Sequence, residues 1–424
     1  MERKNLAAGL MLCTHKTEQF KTSAVSVNII TPLDEAASEK ALLIHLLART
    51  NKNYPTLTDM NRRLASLYGA ILSPAVAKMG EAHVLTLTLS SIDDRFSLGG
   101  ESVLLEGIKL LLDCLFTPDI TPEGFKAENV QREKRLLKEK IDSQNDDKIV
   151  YAYNRMIEEM CCDEAYCISQ FGSKAEIDKL SGKDIFSVWK KLLLSSLIQI
   201  NLTGSFDEEK ITSVINGYFN RLDRKEADII YPHTEFISES YDVKTVTEKQ
   251  KVQQGKLVIG FRAGMTYNMD NYAAIRVMNA IFGSGTFSKL FTNVREKMSL
   301  CYYCSARLVS QKGIIAVQSG VETENTEKAL NAILNELQEV RQGNFTEETI
   351  EAAKLSLKEM WLSVSDSVQS IDAWMTSMCL DGDFMTPEMY IAMTDSVSRE
   401  EIIVAANMVT QDTVYILESE KEAE

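Results

Sequence analysis

Val25, Val27 and Ile29 alternate with polar residues as a half-buried strand does, and Leu257, Ile259 and Phe261 repeat the alternation 232 positions later. Each strand leads into a helical stretch, Ser38 to Arg49 in the first half and Asp270 to Phe282 in the second, where Gly283 supplies the stop. Another strand follows each helix. Leu85, Leu87 and Leu89 alternate with Thr86 and Thr88, and Ile315 and Val317 repeat that pattern 230 positions later. A near-constant offset over several elements is the mark of a duplicated unit, so the chain is expected to fold as two similar bodies.

The correspondence runs on. Amphipathic helices are expected over Glu101 to Phe116 and Thr326 to Arg341, and long helices open at Thr121-Pro122-Glu123 and Thr346-Glu347-Glu348. Each half then closes on a strand, Leu197 to Thr203 and Thr413 to Leu417. The stretch 222–250 is polar and mostly lacks helical periodicity, as a linker would. The expected domains are therefore 1–221 and 251–424, joined by 222–250.

At 424 residues, with 45% hydrophobic and 25% charged side chains, the chain is long enough for two buried cores. A formal net charge of -15 argues against nucleic acid or an anionic membrane as partner. Met1-Glu2-Arg3-Lys4 ahead of Leu6 to Cys13 has the outline of a signal peptide, but the apolar run is short, broken by Gly9, and lacks a small-residue cleavage site. It reads better as a first strand. No stretch approaches the roughly 20 apolar residues of a membrane span.

The eight cysteines do not form a disulfide framework and suggest a reducing, cytoplasmic setting. Cys301-Tyr302-Tyr303-Cys304 has redox or zinc spacing, yet it lies in an extended segment where residues three apart face opposite ways, so neither role is expected. Cys161, Cys162 and Cys167 read as buried thiols acting as small apolar residues. Gly283-Ser284-Gly285-Thr286 follows a helix rather than a strand and has no phosphate-reaching Lys, which excludes a nucleotide loop. Asp146-Asp147 is expected to be solvated, and Trp361, Trp374 and the methionines from Met360 to Met378 to pack in a core.

The chemistry-bearing segment is Ala41-Leu42-Leu43-Ile44-His45, ahead of Pro55 and of Asn61-Arg62-Arg63-Leu64-Ala65-Ser66-Leu67-Tyr68-Gly69-Ala70. It resembles the start of an insulinase-type (M16) zinc peptidase, a resemblance that covers essentially the whole chain. In that family H-x-x-E-H lies on a helix, where its two histidines share a face and grip one zinc ion while the Glu deprotonates a bound water. Here the string reads Ala41-x-x-Ile44-His45. The resemblance puts the third ligand at Glu139 in Glu133-Lys134-Arg135-Leu136-Leu137-Lys138-Glu139-Lys140-Ile141. His45 and Glu139 are then remnant positions with no metal expected, because a catalytic zinc needs about three protein ligands and isoleucine cannot act as a base. Without the resemblance, His45 is an ordinary hydrogen-bonded helix histidine.

The resemblance implies an α+β fold of two homologous halves, each an antiparallel sheet backed by helices, that close as a clam shell around an extended peptide. It also implies substrate-binding roles for Arg295 and Tyr302 in Arg295-Glu296-Lys297-Met298-Ser299-Leu300-Cys301-Tyr302. A guanidinium can hold a peptide carbonyl or carboxylate, and a phenol can donate to a developing oxyanion. Met298-Ser299 departs from the usual Arg-Gly of that loop. The plainer alternative has Arg295 paired with a nearby acid and Tyr302 packed in a strand.

Some members work as two-subunit enzymes in which one chain keeps H-x-x-E-H and the other keeps only the Arg and Tyr. Pro32-Leu33-Asp34-Glu35 and Leu67-Tyr68-Gly69-Ala70 resemble the second, non-catalytic bacterial kind (YfmF-like), encoded beside an active partner (YfmH-like). The implied function is a subunit not active alone that binds unstructured peptide and pairs with an active, zinc-bearing subunit, with a homodimer possible in isolation. Two alternatives stand beside it: a scaffold or peptide-binding protein without a protease partner, and a metal-dependent peptidase using the cysteine cluster or His45 and Glu139.

Overall fold

Both halves lay their strands down in one spatial order. The structure is a computed structural model that describes every residue except 267–268, 270–271, 381–383 and 421–424. The first sheet uses β1 (Glu2–Ala7), β2 (Leu10–Lys16), β3 (Thr22–Pro32), β4 (Ile71–Met79), β5 (Ala82–Ile92) and, after a two-strand clip of β6 (Ile120–Thr121) and β7 (Gly124–Phe125), β8 (Leu197–Gly204). The second uses β9 (Lys244–Gln250), β10 (Gly255–Arg262), β11 (Cys301–Val309), β12 (Ile314–Val321) and β13 (Thr410–Ser419). The orders are β1-β2-β8-β3-β5-β4 and β11-β12-β10-β13-β9, so β4-β5-β3-β8-β2 and β11-β12-β10-β13-β9 are the same series. Both sheets are antiparallel but for one parallel pair each, β2 with β8 and β9 with β13. The α+β class and the two homologous halves stand.

The helices repeat as the strands do. The first half carries α1 (Ala37–Leu47), α2 (Leu57–Ser66), α3 (Val103–Phe116), α4 (Ala127–Asp146), α5 (Lys148–Met160), α6 (Lys174–Lys179), α7 (Gly182–Ser195) and α8 (Glu208–Phe219). The second carries α9 (Tyr272–Gly283), α10 (Thr326–Arg341), α11 (Glu347–Leu362), α12 (Val368–Ser377), α13 (Pro387–Ser396) and α14 (Arg399–Met408). Their starts are set by side-chain caps: Thr56 opens α2, and Ser181 with Asp184 and Ser398 with Glu401 form capping boxes on α7 and α14. The start of α9 expected at Asp270 lies outside the described residues.

The compact units are not the two halves of the sequence. One comprises Met1–Ile141, Ile168–His233 and Ser363–Phe384, the other Asp142–Cys167, Thr234–Leu362 and Met385–Glu424. Each unit thus takes a helix from the opposite half: α12 lies on β3 and β8, and α5 lies on β10 and β13. This explains why β3, expected to be half-buried, is buried on both faces from Ser23 to Thr31. Its polar face is roofed by α12. There Ser26 Oγ donates to Asp372 Oδ1 at 2.6 Å, and from β8 Gln199 Nε2 donates to the Met375 carbonyl at 2.7 Å. On the other face, α1 and α3 pack an aliphatic core against Val25, Val27, Ile29, Leu85, Leu87 and Leu89.

Several expectations change at element edges. The N-terminal strand is a hairpin, β1 with β2, because Gly9 takes φ +58 at the turn. The helix expected from Thr121 begins at Ala127, since Ile120–Thr121 and Gly124–Phe125 pair first. Inside the stretch expected to be a linker, β9 pairs with β13 over Lys244–Gln250. Its half-buried positions are Val246, Glu248 and Gln250, so a single apolar side chain marks the strand. Asp147 is not merely solvated: its carboxylate caps α5 by accepting from the Ile149 and Val150 amides. Cys161 is buried as expected, but Cys162 is exposed.

Candidate functional site

His45 sits near the end of α1, a helix buried almost all round, and lines a cleft of about 340 Å³ in the first unit. Its Nδ1 lies 2.7 Å from the Ala41 carbonyl. A carbonyl cannot donate, so the proton is on Nδ1 and Nε2 is left as the acceptor. Burial foremost, with the nearby cations Lys140 and Arg49, holds the imidazole below its ordinary pKa. Met60 and Leu64 of α2, Leu72 and Pro74 of β4 and Leu137 of α4 give the cleft apolar walls.

Helix α4 turns Glu133, Leu137 and Lys140 into that cleft, positions that share one helical face. Glu139 is not among them. It lies about 100° around the helix from Lys140, with its side chain 58% exposed and 3.6 Å from Arg135. The structure therefore does not bring the remnant pair His45 and Glu139 together. The carboxylate that does reach the cleft is Glu133, 3% exposed and paired with Arg49 at 2.7 Å. Burial raises its pKa while Arg49 opposes the rise. The Glu133, Leu137, Lys140 spacing was the available signal for this face.

A zinc ion does not fit these residues. Ala41 and Ile44 are fully buried and apolar, one imidazole nitrogen is available, and the single buried carboxylate is already held by a guanidinium. The ammonium of Lys140, stacked over the Phe171 ring at 4.7 Å, adds a positive charge where a dication would need a third donor. Among the described residues, no group of three or more His, Cys, Asp and Glu side chains is placed to hold a metal ion.

The second unit carries Arg295 and Tyr302 on consecutive elements. Arg295 lies in a π-helical turn, Leu290–Lys297, where the Met298 amide donates to the Asn293 carbonyl five residues back at 2.9 Å. Such wide turns recur at functional sites. The guanidinium is exposed and stacks on Phe291, 4.5 Å from the ring centre. Ser299 then takes a left-handed φ of 52 before β11 begins. Tyr302 is 66% exposed, and its hydroxyl donates to Glu322 Oε1 at 3.3 Å. Neither residue is packed away: Arg295 stacks on an aromatic ring instead of closing on the core, and Tyr302 points out of its strand.

Tyr302 points outward because β11 is bulged. Cys301 pairs with Val321 and Tyr303 with Gly320, leaving Tyr302 as the extra residue. The same bulge overturns the expectation that Cys301 and Cys304 face opposite ways. They stand opposite Val321 and Ser319, two ladder positions apart on one face, and both are buried. The alternation rule failed here because it assumes an unbroken strand.

A duplicated sheet-and-helix fold, with a single-histidine cleft in one unit and an exposed Arg and Tyr in the other, defines a relative of the metallopeptidases. The chain belongs to the M16 peptidase family. Residues 179–357 match the family profile described as the Peptidase M16 inactive domain. Along 417 residues the chain is 31% identical to the "Probable inactive metalloprotease YmfF" of Bacillus subtilis (strain 168), covering 98% of this chain and 97% of that one. Among solved structures, a conserved protein from Enterococcus faecalis V583 superposes with a TM-score of 0.90 at 29% identity, covering 100% of this chain and 99% of that one. A peptidase M16 inactive domain from Pseudomonas fluorescens shares the fold with a TM-score of 0.80 at 14% identity, covering 100% and 99%.

Proposed function

We propose that this chain is a non-catalytic subunit that binds unstructured peptide through Arg295 and Tyr302 and pairs with an active H-x-x-E-H member of its family, of the YfmH-like kind. The zinc and the activated water belong to that partner, and no cofactor is held here. The observation that carries the reading is the contrast between a cleft that sets Lys140 and the Arg49–Glu133 pair around a single imidazole and an exposed guanidinium and phenol displayed by two backbone irregularities in succession. Irregular backbone of this kind costs stability unless something is gained from it. Peptide carbonyls and carboxylates are the groups that a stacked guanidinium and an outward phenol bind best. Eight cysteines, all free, fit a cytoplasmic setting.

The test is to purify this chain and the H-x-x-E-H protein encoded beside it, and to assay unstructured peptides with each alone and mixed. Cleavage is expected from the mixture and to fall when Arg295→Ala replaces the wild-type chain. A partner that cleaves equally well by itself would sink the proposal.

A further inference from the structure

The bulge that displays Tyr302 also builds a second chemical feature. Cys301 and Cys304 share a face of β11, Cys304 is buried and Cys301 sits at the margin of burial at 9% exposed, and the Cys304 thiol donates a hydrogen bond to the Cys301 sulfur. Two ladder positions put their backbones roughly 6.5 Å apart, near the outer limit of the Cα separations that a disulfide bridges. In a regular strand, residues three apart could not meet. The bulge therefore creates the pair, and Tyr302 is the residue looped out between its members.

We infer that Cys301 and Cys304 form a dithiol modification site that hydroperoxides oxidise to an intramolecular disulfide. The two thiols differ in reactivity. The hydrogen bond from Cys304 is the main cause that brings Cys301 down to about 7, helped by the positive charge of Arg295 and opposed by burial. Cys304 is pushed up, by the same hydrogen bond and by burial, and so keeps its proton. Cys301 is thus the nucleophile and Cys304 the resolving thiol. The Cys301 thiolate attacks the terminal peroxide oxygen; the S–O bond forms, the O–O bond breaks, and hydroxide, or the alkoxide of an organic hydroperoxide, leaves and takes up a proton to become water or alcohol. The Cys304 sulfur then attacks the sulfenic sulfur, the S–S bond forms, and the sulfenic hydroxyl departs with the Cys304 proton as a second water. Two electrons pass from the thiols to the peroxide. The product fixes the bulge that turns Tyr302 outward, and the inference does not depend on what Tyr302 binds.

The experiment uses the full chain carrying Cys162→Ser, which removes the exposed thiol. Reduced protein is treated with stoichiometric hydrogen peroxide, its free thiols are counted under denaturing conditions, and its peptides are mapped by mass. The expected result is the loss of two thiols, a linked peptide joining Cys301 to Cys304, and full reversal by dithiothreitol. In a Cys304→Ser variant, oxidation should stop at a Cys301 sulfenic acid that dimedone traps. Because a variant can misfold, phenylarsine oxide serves as a second probe on the same folded protein: it should occupy the pair and block peroxide oxidation there. Retention of both thiols after peroxide, or oxidation confined to other cysteines, would overturn the inference.

Discussion

In the first unit, α12 rests on β3 and β8 through amides and hydroxyls: Asn201 Nδ2 donates to Thr376 Oγ1 at 2.8 Å, Gln199 Nε2 to the Met375 carbonyl, and Ser26 Oγ to Asp372. In the second unit, α5 rests on β10 through Met156 and Met160, whose sulfurs fill the space over Gly260, and the segment after α5 is tied down by charge. There Arg262, 3% exposed, donates to Glu164 Oε1 at 2.8 Å and to Asp412 Oδ2 at 2.8 Å, and fully buried Lys312 reaches Glu164 at 2.5 Å. Equivalent helices in equivalent places are held by opposite chemistry. Topology and sheet order survive duplication because they are set by strand pairing and apolar patterning, while the polar contacts between layers are free to diverge. The same freedom leaves a single-histidine cleft in the first unit and an exposed Arg and Tyr in the second.

The comparison breaks most visibly at Arg262. Arg262→Met leaves Glu164 and Asp412 as buried carboxylates with only Lys312 to answer them, and removing one partner from such a cluster costs roughly 3–5 kcal/mol. Urea unfolding followed by circular dichroism should show a loss of that size. A loss below about 1 kcal/mol would mean that the methionine packing of α5, not the ions, holds the segment.

In the first unit one electrostatic liability is a histidine. His83 is fully buried; its Nε2–H donates to the Gln170 carbonyl at 2.9 Å, and burial foremost, then the Lys40 cation, lowers its pKa to about 4. Asp34 partly offsets this, and Lys78 adds to it. The unfolded chain takes up a proton near pH 6.5 that the folded chain refuses until about 4. The stabilisation from neutral His83 is therefore complete above about 6.5 and is lost as pH falls toward 4, by at most about 3 kcal/mol. His83→Gln should flatten the stability profile in that window relative to wild type, and an unchanged profile would contradict the assignment.

How much of this was legible follows from where the periodicity survives. The strands with apolar residues at alternate positions, the 230–232 offset and the loss at Ala41 and Ile44 were open to reading because each is a local pattern. Ser26, Asn28, Gln199 and Asn201 misled, since polar residues alternating with apolar ones announce a wet face, and this face is covered by a helix from the far end of the chain. No local rule anticipates a distant roof. Glu139 was placed by the resemblance alone, because the register of a long, mostly polar helix is weakly marked in sequence, and it is Glu133 and Lys140 of that helix that line the cleft. Cys301 and Cys304 were placed apart because a single bulge inverts the facing of everything beyond it.

Asp372 sharpens the contrast with the opposite sign. Burial, opposed by the hydrogen bonds from Ser26 and Asn201, raises its pKa. A raised carboxylate favours folding at pH below the unfolded value near 3.9, and that favour is lost as pH rises through the folded value. At neutral pH the charge on Asp372 is therefore a cost. Asp372→Asn keeps an acceptor for Ser26 and removes the charge, so a gain of about 1 kcal/mol is expected at pH 7, shrinking as pH falls. A destabilised variant at pH 7 would show that the carboxylate is anchoring α12.

The smallest change in stability should come with the largest change in binding. Arg295→Ala and Tyr302→Phe alter exposed side chains whose intramolecular contacts are a ring stack and one 3.3 Å hydrogen bond, so each should shift unfolding by no more than about 0.5 kcal/mol. If these groups hold peptide, Arg295→Ala should weaken affinity for an unstructured fluorescent peptide by roughly tenfold, equivalent to about 1.4 kcal/mol. His45→Ala provides the counterpart in the other half: its cleft holds a neutral imidazole bonded to its own helix, and the variant should leave zinc content and peptide affinity unchanged. Equal losses from the His45 and Arg295 variants in fluorescence anisotropy would erase the distinction between a spent cleft and a working surface, whereas loss from Arg295→Ala alone would place peptide recognition in the second half.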